Sequence, residues 1–177
     1  MIRKEREERM SSRIPTVIVS GFPGIGKTTA AKLHPMLFRD LESSDYHWVT
    51  LMKSLISENY IFKENPQWPG NYIEAIKNLS TSGMYKSVFV SAHELVREKM
   101  REAKIRYTLI YPEDTSKMKQ LIMKRIIDRG SPDYFIRAMD ENYSKYVKSM
   151  SEDPGATAKL QLTPDALTKW VEWCAYV

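Results

Sequence analysis

Five short apolar runs, rich in β-branched and aromatic residues, recur along the chain at 16–20, 36–41, 87–91, 107–111 and 157–162. The segments between them carry charge or helical spacing, and this alternation predicts an α/β domain with a parallel sheet covered on both faces. Helix boundaries are marked as well. Asp114 or Thr115 caps a helix that runs through Arg129 and is ended by Gly130. Ser131 with Pro132 opens the next helix, and Thr163 with Pro164 opens the last. The longest stretch without a strand, 43–86, holds the breakers Asn65-Pro66-Gln67-Trp68-Pro69-Gly70 between two predicted helices, 49–57 and 71–79. Lying between the second and third strands, it falls near the carboxyl ends of the sheet, where α/β folds bind ligands.

Directly behind the first strand, Gly21-Phe22-Pro23-Gly24-Ile25-Gly26-Lys27-Thr28 fits the phosphate-loop pattern G-x-x-x-x-G-K-[ST], and Thr29 continues it into a helix opening. The residue types suit the chemistry. Gly21, Gly24 and Gly26 free the backbone, so that N–H groups around Ile25 can wrap phosphate oxygens at the positive end of the following helix. Lys27 reaches the β- and γ-phosphates, and the Thr28 hydroxyl takes a position on magnesium. The expected ligands are therefore ATP and Mg2+.

Composition narrows the setting. The 177 residues are 42% hydrophobic and 28% charged, which suits one compact soluble domain. No apolar stretch approaches the roughly 20 residues of a membrane span and the N-terminus is too charged for a signal peptide, so a cytoplasmic protein with no membrane partner is expected. Cys174 is the single cysteine and leaves no internal disulfide or zinc spacing. The net charge of +5 and pI near 9.2 admit an anionic small substrate or a nucleic acid. Residues 1–13 read as a charged arm or helix, since Arg3 to Arg9 mixes both signs with Lys4/Glu8 and Glu5/Arg9 four apart.

Further side chains could carry chemistry. The second strand ends with Asp40, Glu42 and Asp45, and strand alternation puts Asp40 and Glu42 on one face above the phosphate loop. One would help hold magnesium or accept the proton of an attacking hydroxyl, and the other would orient the acceptor. Met118, Ile122, Arg125 and Arg129 are spaced four, three and four, so two arginines continue an inward-leaning helical stripe toward an anionic partner. The third strand ends at Ser91-Ala92-His93-Glu94 without the aspartate of a motor-type ATPase, which leaves Ser91 or His93 as polar groups near the γ-phosphate. Trp48, Tyr60, Phe62, Trp68 and Tyr72 crowd the segment after the second strand; most read as core, and Trp68 is the one placed to stack a base.

The G-x-P-G-x-G-K-T-T loop, the five strands and the late arginine pair resemble the nucleoside-monophosphate kinase group of P-loop kinases. More narrowly, Asp40-Leu-Glu-Ser-Ser-Asp-Tyr-His-Trp48, Asn65-Pro-Gln-Trp-Pro69 and Asn71-Tyr-Ile73 resemble adenylate-kinase-like proteins of phages. The resemblance covers 14–176. It implies a three-layer P-loop kinase fold over 14–177 with a parallel sheet in the order 2-3-1-4-5, an acceptor site formed by 45–80 and a lid around 125–132. The chain departs from adenylate kinases in lacking their acceptor-binding arginine motif and in carrying Ser91-Ala-His-Glu94 after the third strand. Its Asp-x-Glu is similar to the acid pair of shikimate, gluconate and polynucleotide-type kinases. The expected activity is transfer of the γ-phosphoryl group of ATP to a nucleotide or nucleoside-like acceptor. The alternatives are a kinase acting on DNA or RNA, at a terminal hydroxyl or a hydroxymethylated base, and a non-catalytic ATP-binding regulatory module.

Overall fold

The computed structural model describes residues 15–53 and 60–174. The charged arm expected over 1–13 lies outside the described residues, as does part of the helix expected over 49–57. Five strands form one parallel sheet: β1 (Val17–Gly21), β2 (Phe38–Asp40), β5 (Ser87–Ser91), β6 (Thr108–Pro112) and β7 (Ala158–Leu162). Their spatial order is β2-β5-β1-β6-β7, which is 2-3-1-4-5 when the five are counted along the chain. Each predicted strand is present, the third at its expected bounds and the others displaced by a residue or two at their ends.

The central position of β1 follows from its composition. Ile18 and Val19 are buried, as are Val88, Phe89 and Val90 beside them and Leu109 and Ile110 on the other flank. A strand buried on both faces needs such a continuous apolar run. Register then fixes the site, because Gly21 lies beside Ser91 while Asp40 lies beside Phe89. The turns after β1, β2 and β5 therefore open at the same end of the sheet.

Helices α1 (Lys27–Leu33), α3 (Gly70–Ser82), α4 (Glu94–Glu102), α5 (Ser116–Asp128), α6 (Asp133–Ser151) and α7 (Pro164–Cys174) cover the sheet, and α2 (Ser44–His47) is a single turn. Thr115, rather than Asp114, caps α5 by accepting from Met118 N at 3.3 Å. Met118, Ile122, Met123 and Ile126 of α5 are buried, as are Met139, Tyr143, Val147 and Met150 of α6. Among the described residues no helix is long and apolar enough to cross a membrane.

The segment after β2 corrects the sequence reading. Where a helix over 49–57 was expected, β3 (Trp48–Lys53) pairs antiparallel with β4 (Tyr60–Glu64), with Trp48 opposite Glu64 and Lys53 opposite Tyr60. Leu51/Leu55 and Met52/Ile56 imitate the four-residue period of a helix. The aromatic and β-branched residues of Trp48-Val49-Thr50 and Tyr60-Ile61-Phe62 favour an extended pairing, and that preference prevails. The second predicted helix forms as α3 and ends at Gly83, whose φ of 63° supplies the left-handed stop.

Candidate functional site

The site begins with the turn from β1 into α1. Gly26 precedes α1 at φ 106° and Gly24 sits at φ 79°, conformations that strain any residue with a Cβ. Ile25 between them is fully buried, so its side chain anchors the loop in the core while its backbone remains at the turn. Lys27 curls back, donating through Nζ to the carbonyls of Gly21 at 2.8 Å and Phe22 at 3.2 Å. Burial lowers the Lys27 pKa and the Arg129 cation lowers it further, against the opposing pull of Asp40 and Glu42.

The two acids meet at Thr28. Its hydroxyl donates to Asp40 Oδ2 at 2.5 Å and lies 3.4 Å from Glu42 Oε1. Asp40 is the last residue of β2 and Glu42 follows just past it, held by the bond from Leu41 N to Phe89 O at 2.9 Å. Burial raises the Glu42 pKa, and the neighbouring Asp40 carboxylate raises it further. Asp45 opens α2 in its first turn, beyond the pair. Among the described residues no three His, Cys, Asp or Glu side chains converge as a metal cage. A hydroxyl and a carboxylate side by side are nonetheless hard oxygen donors of the kind magnesium takes together with nucleotide phosphates.

Arg125, in α5, and Arg129, at its C-terminal cap, do different things. Arg125 is half-buried and its guanidinium reaches the carbonyls of Gly24 at 3.4 Å, Ile25 at 3.5 Å and Leu167 at 3.3 Å. Burial lowers its pKa. It fastens the phosphate loop to α7. Arg129 is exposed, donates through Nε to Ser131 Oγ at 2.7 Å and lies 5.5 Å from the centre of the Phe135 ring. Among the described residues neither arginine has a carboxylate within ion-pair distance.

These groups line one cleft of about 1270 Å³, shared by the phosphate loop, Asp40 and Glu42, Ser91, Arg125 and Arg129, and the start of α6. Gly21, Gly24, Gly26, Lys27, Thr28 and Thr29 line it; Ile25 lies behind it. His93 stands outside the cleft lining, before α4, with its N–H on Ser91 Oγ at 3.2 Å.

The aromatic expectations resolve differently. Trp68 does not line the cleft: it stacks on His47 at 4.5 Å and leans on Tyr72 at 5.5 Å. His47 is itself stacked on Trp48 at 4.3 Å, so the three rings form a pile that holds the hairpin to α3. Tyr60 and Phe62 have side chains outside the described residues. Tyr72 is fully buried, donates to the Leu41 carbonyl at 2.7 Å and accepts from Ser91 N at 3.0 Å. Sequence reasoning assigned it to packing alone; its apolar neighbours give no sign that the hydroxyl bridges two strand ends. Leu167 and Thr168 also line the cleft, which only the docking of α7 reveals.

The sheet order, the phosphate loop after its central strand and the helices on both faces make this a P-loop kinase fold. Several solved structures share the arrangement, among them the following two. A tunicamycin resistance protein of Deinococcus radiodurans matches with a TM-score of 0.54 and 14% identity over 93% of this chain and 95% of that one. A gluconokinase of Sinorhizobium meliloti 1021 matches with a TM-score of 0.50 and 16% identity over 92% of this chain and 90% of that one. At such identities the likeness is one of fold. No family model matches the chain, and no curated protein matches its sequence.

Proposed function

We propose that the protein is an ATP- and magnesium-dependent phosphotransferase that moves the γ-phosphoryl group to a nucleotide or nucleoside-like acceptor. The observation that carries this reading is the single cleft lined by the phosphate loop, the Thr28–Asp40–Glu42 cluster, Arg125 and Arg129. Binding of ATP would draw the Lys27 ammonium from its loop carbonyls onto the phosphates. Thr28 and Asp40 would hold magnesium, which supplies charge neutralisation of the phosphate groups. Arg129 is free to reach charge developing on the transferred group, and Arg125 keeps the loop carbonyls turned away from it. Asp40 or Glu42 would orient the acceptor or take its proton. The segment 45–80 would seat the acceptor, and 125–132 would close as a lid. One of the solved structures of similar fold is a gluconokinase, and the chemistry proposed for this chain rests on its own side chains.

The test is direct. ATP titrated into the protein with magnesium should bind, and Lys27→Ala should weaken transfer by about a hundredfold or more while the chain stays folded by circular dichroism. Labelled ATP offered with nucleotides and nucleosides should yield a labelled acceptor. Binding of ATP with no labelled product across that panel would favour a regulatory module that holds the nucleotide without transferring it.

A further inference from the structure

The acceptor end of the cleft differs in charge from the donor end. The basic residues that line the cleft are Lys27 and Lys32 on α1, Arg125 on α5 and Arg129 just past it, all at the donor end. Between β2 and β5 the lining consists of Leu41, Glu42, Ser43 and Ser44, with Asp40 and Ser91 at the two strand ends. That stretch contributes two carboxylates with the preceding strand and no cation. Across 43–82 the sequence contains no arginine; of its lysines, Lys63, in β4, and Lys77, in α3, are exposed and outside the cleft lining, and the side chain of Lys53 lies outside the described residues. A phosphate monoester seated there would bring like charge against Asp40 and Glu42, with no guanidinium among the described lining residues of that end to hold it.

We infer that the acceptor is an uncharged alcohol, a nucleoside or sugar hydroxyl with no phosphate at its reacting end. The inference rests on the phosphotransferase reading and narrows it. An alcohol oxygen is a poor nucleophile until its proton has somewhere to go, whereas a phosphate oxygen is already anionic and needs no base. Carboxylates at the acceptor end therefore serve the first and hinder the second. In the step, the alcohol oxygen forms a bond to the γ-phosphorus and the bond from that phosphorus to the β,γ-bridging oxygen breaks. The bond's electrons leave with ADP, the hydroxyl proton passes to the acid pair and then to water, and the product is a phosphate monoester.

The experiment compares two ligands on the wild-type chain with magnesium: ATP, and diadenosine pentaphosphate, which joins a donor nucleotide to a phosphate-bearing acceptor nucleotide. For an alcohol acceptor the second adenylate finds no site, and the two dissociation constants should agree within about threefold. Diadenosine pentaphosphate bound about tenfold or more tighter than ATP would overturn the inference and leave the phosphotransferase reading standing. Binding of neither ligand would overturn both. A second arm offers matched pairs, a nucleoside with its monophosphate and a sugar with its phosphate, and identifies products by phosphorus NMR. A monoester formed on the unphosphorylated member supports the inference and tells nucleoside from sugar; a phosphoanhydride formed on the phosphorylated member refutes it.

Discussion

Replacing Tyr72 with Phe removes one oxygen atom and with it the link between two strand ends. The ring is fully buried and survives the change, so no large cavity opens and the loss is that of the hydroxyl alone. That hydroxyl donates to Leu41 O at 2.7 Å and accepts from Ser91 N at 3.0 Å. Each neutral bond contributes about 0.5–1.5 kcal/mol net, and a buried partner left unpaired moves the figure toward the top of the range, so Tyr72→Phe should cost about 2–3 kcal/mol. In a chain of this size that is about 5–10 °C in Tm. Urea unfolding followed by circular dichroism should show the midpoint fall with the slope unchanged. Tyr134→Phe, at an exposed ring with no hydroxyl bond among those described, provides the neutral control. Leu41 lies between Asp40 and Glu42, so the variant should lose turnover more than it loses ATP binding, because the Tyr72 hydroxyl makes no hydrogen bond to the phosphate loop. A stability loss below about 0.5 kcal/mol, matching the control, would refute the bridging role.

Two further outcomes follow from charged groups. Arg97 and Asp153 form a buried ion pair, and Asp153 also accepts from Tyr107 Oη at 2.9 Å and from Gly155 N at 2.9 Å. Asp153→Asn leaves Arg97 buried without its counter-charge and should cost about 3 kcal/mol in urea unfolding. Burial works against the Asp153 charge, yet those hydrogen bonds and Arg97 hold its pKa below the usual carboxylate value. The stability it lends is present above the unfolded value near 3.9 and lost as pH falls through the folded one, so the gap between wild type and variant should close in acid. Glu42 behaves oppositely, because its raised pKa gives stability that is full below the unfolded value near 4.3 and lost as pH rises through the folded one. Glu42→Gln should therefore be more stable than wild type at pH 8 but not at pH 4, by under about 1 kcal/mol since the side chain meets solvent, while losing transfer; equal Tm at pH 8 would count against it.

The donor half of the site was legible because its chemistry is local. A β-branched strand, three glycines and Lys27-Thr28 lie within one continuous stretch, and neighbouring residues dictate their conformation. The acid pair was half legible: alternation placed Asp40 and Glu42 on one face, but their meeting at Thr28 depends on the register of β2 against β5. Arg125 was read as facing phosphate, and its hold on the Gly24, Ile25 and Leu167 carbonyls depends on the docking of α7, distant in sequence. The hairpin was missed because two signals competed within 48–62 and only pairing between its two arms decides between them. Trp68 was expected to offer its face to a base, and His47 covers that face.

The hairpin is joined to itself and not to the main sheet: β3 and β4 form a separate two-stranded ladder. Beside the aromatic pile, polar bonds pin its base, with Asn65 Nδ2 and Asn71 Nδ2 both donating to the Tyr46 carbonyl at 3.1 Å and 2.9 Å. Sequence drift in the hairpin thus leaves every ladder bond of the five-stranded sheet in place, together with the phosphate loop that depends on it. Selection can reshape the hairpin while the phosphate loop stays under constraint, and an engineer can graft a different hairpin between Trp48 and Glu64 without altering the five-stranded sheet.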